Sequence, residues 1–182
     1  LSVHWDHSWV VDTPFNDIAD LVLYDFAIHW FDMLTCYFGE EEPQQVFAAV
    51  NRTRQQRPRP PMLAHVLVDY PAAQATLSFN AVTKFGHHDR TYLVGTQGTA
   101  MSSGPNLQEQ TVQLFTAQGV ASPILKGHWF PDGFHGAMAE LLCAIEEKRS
   151  LYNNAADNLR SLALAFAAIG SARDRQPKRP GE

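Results

Sequence analysis

Two runs of alternating residues constrain the fold most. Ala64, Val66, Val68 and Tyr70 share one parity, Ala75, Leu77, Phe79 and Ala81 share the next, and Pro71-Ala72 lies between them. Successive side chains on a strand point to opposite faces, so each run lays one apolar row on a single face. A turn between two such rows predicts an antiparallel pair. Leu1, Val3 and Trp5 alternate with Ser2, His4 and Asp6, which predicts a strand over Leu1 to Trp9. Further strands are predicted at Gln45 to Asn51, Arg90 to Gly95, Thr99 to Ser102, Thr111 to Thr116 and Ala121 to Leu125. A chain that begins inside a strand is expected to have lost what came before it.

Three helices complete the pattern. The first is strongly apolar, covers Asp25 to Phe38 and stops at Gly39. Phe134, Met138, Leu141, Leu142 and Ile145 form a stripe of period 3.6, beginning near Pro131 and Asp132. Leu159, Leu162, Phe166 and Ile169 form another, with Asn154 as its N-cap. Strand, helix, many strands, two helices is an α+β order, a mostly antiparallel sheet with helices packed on one face. Residues 173–182 are polar and are expected to fray. Arg52 to Pro61 mixes arginine and proline, and reads as a surface loop or as a patch that grips phosphate.

Composition excludes several classes. Hydrophobic residues make up 45% and charged residues 18%, a balance that supports a packed core and opposes disorder. The net charge of −5 is a poor match for nucleic acid or an anionic membrane. No run of about eighteen apolar residues is present. Cys36 and Cys143 are too few for a disulfide framework, which points to a reducing, cytoplasmic compartment.

The chemistry is concentrated on the first helix. Asp25, His29 and Asp32 are spaced by four and three residues, so on an α-helix they share one narrow stripe among large apolar residues. Such a stripe faces solvent, a cleft or polar partners, because unpaired buried polar groups are costly. Oxidising an alcohol requires loss of the hydroxyl proton, and an imidazole is a suitable base. A carboxylate one turn away can hold the ring's tautomer and stabilise the imidazolium. Asp25 and His29 supply that pair, while Asp32 is either a third member or a brace.

The run LYDFAIHWFDMLTCYFG resembles the Asp-x-x-x-His helix in the C-terminal domain of the Gfo/Idh/MocA oxidoreductases. DRTYLVGTQGTAMSSGP, from Asp89 to Pro105, resembles the family's strand and turn carrying Val-Gly-x-x-Gly-Thr. The segments from Trp129 to Ser150 and from Asn153 to Ala172 resemble its closing helices. The resemblance implies a large open sheet and a substrate and oligomerisation domain over residues 1–172. It also implies NAD or NADP as cofactor, a small hydroxylated substrate such as a sugar or polyol, and homodimers or homotetramers formed through the sheet. Asp25 and His29 match the family's catalytic pair. The family's Glu-Lys-Pro motif and Gly-rich dinucleotide turn have no counterpart here. Gly95-x-x-Gly98 and Gly133-x-x-Gly136 are the closest spacings, and neither is G-x-G-x-x-G after a strand. The cofactor is therefore expected on a Rossmann domain outside this chain, and the chain by itself is expected to be inactive.

Five more residues are candidates for the substrate. His7 can hydrogen-bond a sugar hydroxyl and Trp9 can stack on a sugar face, with Asp12 in the loop beside them; strand-end residues without a role look the same. Tyr24 lines the pocket or packs in the core, and Trp129 closes the pocket or packs. His87-His88-Asp89 make a poor chelate, because neighbours on a strand point to opposite sides, so no metal is expected. Two other functions stay open: a non-catalytic oligomerisation or ligand-binding module, and a cofactor-free hydrolase or isomerase using Asp25 and His29.

Overall fold

The computed structural model describes residues 1–182. Eight strands form one open sheet: β1 (Ser2–His4), β2 (Gln45–Asn51), β3 (Leu63–Asp69), β4 (Gln74–Asn80), β5 (His88–Val94), β6 (Gly98–Asn106), β7 (Glu109–Thr116) and β8 (Gly119–Ala121). Their order across the sheet is β2-β3-β4-β1-β5-β6-β7-β8. Every pairing is antiparallel except that of β1 with β4. The α+β expectation therefore holds, with one parallel junction where the first strand slots between β4 and β5.

The predicted hairpin forms in register. Ala64 pairs with Phe79, Val66 with Leu77 and Val68 with Ala75. All of these but Ala75 are buried, and they share one face with Val3, Val46 and Ala48. Helices α1 (Ile28–Phe38) and α3 (Ala155–Asp174) cover that face and add Trp30, Phe31, Leu34, Leu164 and Ala168 to one core. The other face carries Phe47, Tyr92, Val94 and Phe115, all substantially exposed.

Several elements depart from expectation. The first strand is regular only over Ser2–His4. The chain still runs beside β4, with Trp5 N–H donating to Asn80 O (2.9 Å) and His7 N–H to Ala81 O (2.9 Å). Asp6 Oδ1 then accepts from Ser8 N–H (2.9 Å), and Ser8–Asp12 curls into a 3-10 turn. A local carboxylate acceptor of this kind competes with the ladder. The last strand is Gly119–Ala121 and not Ala121 to Leu125, because Gly119 (φ +127°) makes the tight reversal after Thr116.

The tail does not fray. Val46 and Lys178 exchange both backbone hydrogen bonds (2.8 and 2.9 Å), and Ala48 N–H donates to the buried Ser171 hydroxyl (2.9 Å). Polar side chains hide this contact from the sequence, because the pairing uses backbone alone and covers the edge of β2. The helix α2 (Phe134–Glu147) departs from the predicted layer too. It packs on no strand, and Phe134, Met138, Leu142 and Ile145 are more than half exposed.

Candidate active site

The site begins with a change of helical pitch. The chain enters helix at Leu21, but Val22–Phe26 form a π turn in which Ala27 N–H reaches Val22 O (2.8 Å). Regular α-helix resumes at Ile28 and ends where Gly39 takes positive φ (+59°). A π turn holds one extra residue per turn and often marks functional helices. Its effect here is to expose Tyr24 and Asp25 side by side, while Phe26 turns inward.

Asp25 and His29 are both exposed. No hydrogen bond joins them, and the His29 ring stands edge-on to Trp30 at 6.2 Å. The Asp25 carboxylate is instead felt by His7. Burial pushes the His7 imidazole below its ordinary value, and the charges of Asp25 and Asp6 oppose that shift. Trp5 Nε1–H donates to His7 Nδ1 (3.0 Å), which places the proton of a neutral ring on Nε2. The Trp9 ring meets His7 at 4.7 Å, and Phe26 stacks on Trp5 at 3.7 Å. Two strand-end residues and the π turn thus meet, and the exposed His29 lies one turn further along the helix.

The remaining candidates scatter around this centre. Trp9 is exposed and edge-on to Phe15 (5.8 Å). Asp12 ends the 3-10 turn and is exposed. Tyr24 is half exposed and leans toward Phe166 of α3 (6.3 Å). Trp129 lies outside the cluster, against Phe130 (6.3 Å). Asp32 is a brace: its Oδ1 accepts from the buried Ser161 hydroxyl (2.7 Å), tying α1 to α3. Cys36 and Cys143 are both free and exposed.

Sequence reasoning missed the neighbouring cavity. It measures about 230 Å³ and is lined by Val3, Trp5, Phe26, Asp89, Leu107 and Phe130, among others. The strand-parity argument for His88 and Asp89 holds: His88 stacks on His4 (4.3 Å), while Asp89 is only 4% exposed. Asp89 Oδ2 has no hydrogen-bond partner, and burial raises its carboxyl to about 6. The sign follows directly. An ordinary Asp ionises near 3.9, so between that value and 6 the unfolded chain releases a proton that the fold retains. Stability from this group is therefore full at low pH and is lost as pH rises to 6. Two pH units correspond to roughly 3 kcal/mol. In denaturant titrations, wild type minus Asp89→Asn is expected to fall by about 1–3 kcal/mol between pH 4 and pH 7. A flat difference would refute the buried, unpaired carboxyl.

The profile of the GFO/IDH/MocA C-terminal domain matches residues 1–101. The chain belongs to the Gfo/Idh/MocA family. No curated protein matches it. Among solved structures it is similar to an aldose-aldose oxidoreductase of Caulobacter crescentus complexed with glycerol, at 19% identity and TM-score 0.76, over 98% of this chain and 54% of that one. It is also similar to an oxidoreductase of Agrobacterium radiobacter in complex with NAD+, L-tartaric acid and magnesium, at 18% identity and TM-score 0.71, over 87% and 49%. These likenesses show the fold, and the chain spans about half the length of the structures it matches. A Gfo/Idh/MocA oxidoreductase implies a nicotinamide cofactor, and the residues present do not fit one. Gly95 and Gly98 sit in the β5–β6 hairpin, and Gly133-x-x-Gly136 runs from a π turn into α2 with no strand before it. Neither offers a strand-to-helix turn for a pyrophosphate.

Proposed function

We propose that this chain is the substrate-binding and proton-transferring half of an NAD(P)-dependent sugar or polyol dehydrogenase. The observation that carries the reading is the exposed Asp25 carboxylate, whose charge acts on His7 at the neighbouring strand end, with the exposed His29 one turn along the same helix. His29 is free to meet a reacting hydroxyl and takes its proton. Asp25 stabilises the positive charge that follows. His7, held neutral with its proton on Nε2, donates to a second substrate oxygen, and the exposed Trp9 ring covers a sugar face. Asp12 and Tyr24 flank the approach. A nicotinamide held by a Rossmann domain outside these residues would supply the hydride acceptor. That domain covers the apolar stripe of α2, which nothing in this chain covers. The whole protein is expected to reduce NAD or NADP with at least one sugar or polyol, whereas residues 1–182 alone give no turnover. A whole protein inert with both cofactors across hexoses, pentoses and inositols would contradict this reading.

A second role stands on a separate observation. The sheet face away from the helices exposes Phe47, Tyr92, Val94, Phe115 and Val120. All but Phe47 lie on β5 to β8. Exposed apolar surface of this kind marks an interaction site, and we propose that two copies pair through it into a homodimer or homotetramer. Tyr92→Lys is expected to yield monomers in light scattering while circular dichroism is unchanged. Wild-type protein that is monomeric at tens of micromolar would rule the pairing out.

A further inference from the structure

We propose that the cavity over Asp89 binds a small aminated ligand, an amino sugar or amino polyol, whose ammonium pairs with the Asp89 carboxylate. The inference rests on the proposed function only in treating this cavity as part of the substrate cleft, with which it shares Trp5 and Phe26.

Three observations converge. First, the carboxyl is sealed on one side and unpaired: Asp89 is 4% exposed and Oδ2 has no donor. Buried charges are normally paired, because the cost of desolvating one alone is large. No lysine or arginine lines the cavity, and the one cation that acts on Asp89, the Leu1 ammonium, makes no hydrogen bond to it and donates to Thr76 O (2.8 Å). Second, its cross-strand neighbour offers no side chain as a partner. Asp89 pairs across the sheet with Gly104, where an added Cβ would lie 1.7 Å from Glu109 O. No side chain can therefore stand at that position. Third, the surroundings suit a cation. Trp5, Phe26 and Phe130 line the same 230 Å³ space, and aromatic faces attract ammonium groups.

A neutral hydroxyl would donate to the carboxylate but leave its charge in place. An ammonium neutralises it, adding the attraction of a full ion pair to the hydrogen bond. The volume admits one monosaccharide-sized ligand. His4, His87 and His88 also line the cavity, so binding is best measured at pH 7.5, where an ordinary imidazole is neutral.

The test is calorimetric titration of the purified protein, without cofactor, with two matched pairs: glucosamine and glucose, and 2-amino-1,3-propanediol and glycerol. In at least one pair the amine is expected to bind ten or more times more tightly than its hydroxyl analogue. Asp89→Asn is expected to erase that preference. Equal affinity within both pairs, no binding by any of the four, or a preference that survives in Asp89→Asn overturns the proposal. Should the variant fail to fold, carbon-13 titration of the wild-type Asp89 carboxyl decides instead. Its midpoint is expected to drop by at least one pH unit in the presence of the amine, and an unmoved midpoint counts against the site. Loss of turnover in a His29 variant reports on the catalytic reading alone, so the two can fail separately.

Discussion

Alanine at His29 is expected to lower kcat of the whole protein by about 10²- to 10⁴-fold, the range for a positioned general base. The side chain is exposed, with its ring edge-on to Trp30 at 6.2 Å, so stability should change little. Cofactor affinity should not change, because no nucleotide seat lies in this chain. Asp25→Asn should cut turnover less steeply, since it removes a stabilising charge and keeps the base. His7→Ala is the informative control. His7 is tied to Trp5 and kept neutral by burial, so its loss should raise KM more than it lowers kcat. Steady-state kinetics of the three variants at saturating cofactor separate these roles. Wild-type turnover in His29→Ala, with collapse in His7→Ala, would move the base to the strand end.

Phe79→Ala is expected to have the largest effect on stability, a loss of about 3–5 kcal/mol. Phe79 is fully buried on β4, in a row with Val3 and Ala64. Its ring meets Trp30 at 5.7 Å and Phe26 at 6.1 Å, both edge-to-face. Little can collapse into the void, because sheet backbone lies on one side and the helix on the other. A domain of this size is stable by about 5–15 kcal/mol, so the variant should approach half-unfolding at moderate temperature. Urea midpoints measure the loss directly. Phe79→Leu, which keeps more of the volume, should cost much less. A loss below 1 kcal/mol for Phe79→Ala would mean that the core around the site is not packed as described. The same ring supports Phe26 and Trp30, which flank Asp25 and His29, so partial unfolding should cost activity first.

Much of the local structure was legible because its signals are short-ranged. Strand parity identified β3 and β4 as an antiparallel pair with one apolar face. Gly39 ended α1, and Asn154 caps α3 by accepting from Ala156 N–H (2.9 Å) and Asp157 N–H (3.1 Å). The family resemblance carried the fold class, and the profile match bears out the family. The misreadings share a cause. The π turn was invisible because α spacing was assumed through Asp25. The ordered tail was missed because its contact with β2 is backbone-to-backbone.

What the sequence determined by itself is therefore most of the elements and the buried faces of β3 and β4, whereas the stripes read on α2 and α3 are largely exposed (Met138, Leu142, Leu159, Phe166) and α3 buries Leu164 and Ala168 instead. Periodicity and capping depend on neighbours a few residues apart, and such contacts survive without knowledge of the whole. Only the tertiary structure decided that Asp25 acts on His7, that Asp32 braces α3 through Ser161, and that Asp89 lies unpaired beside Trp5 and Phe26. Each of these depends on residues far apart in the chain: the first and third meet where β1 enters between β4 and β5, the second where α1 packs on α3. The desolvation and charge proximity that set their chemistry exist only once those contacts are in place.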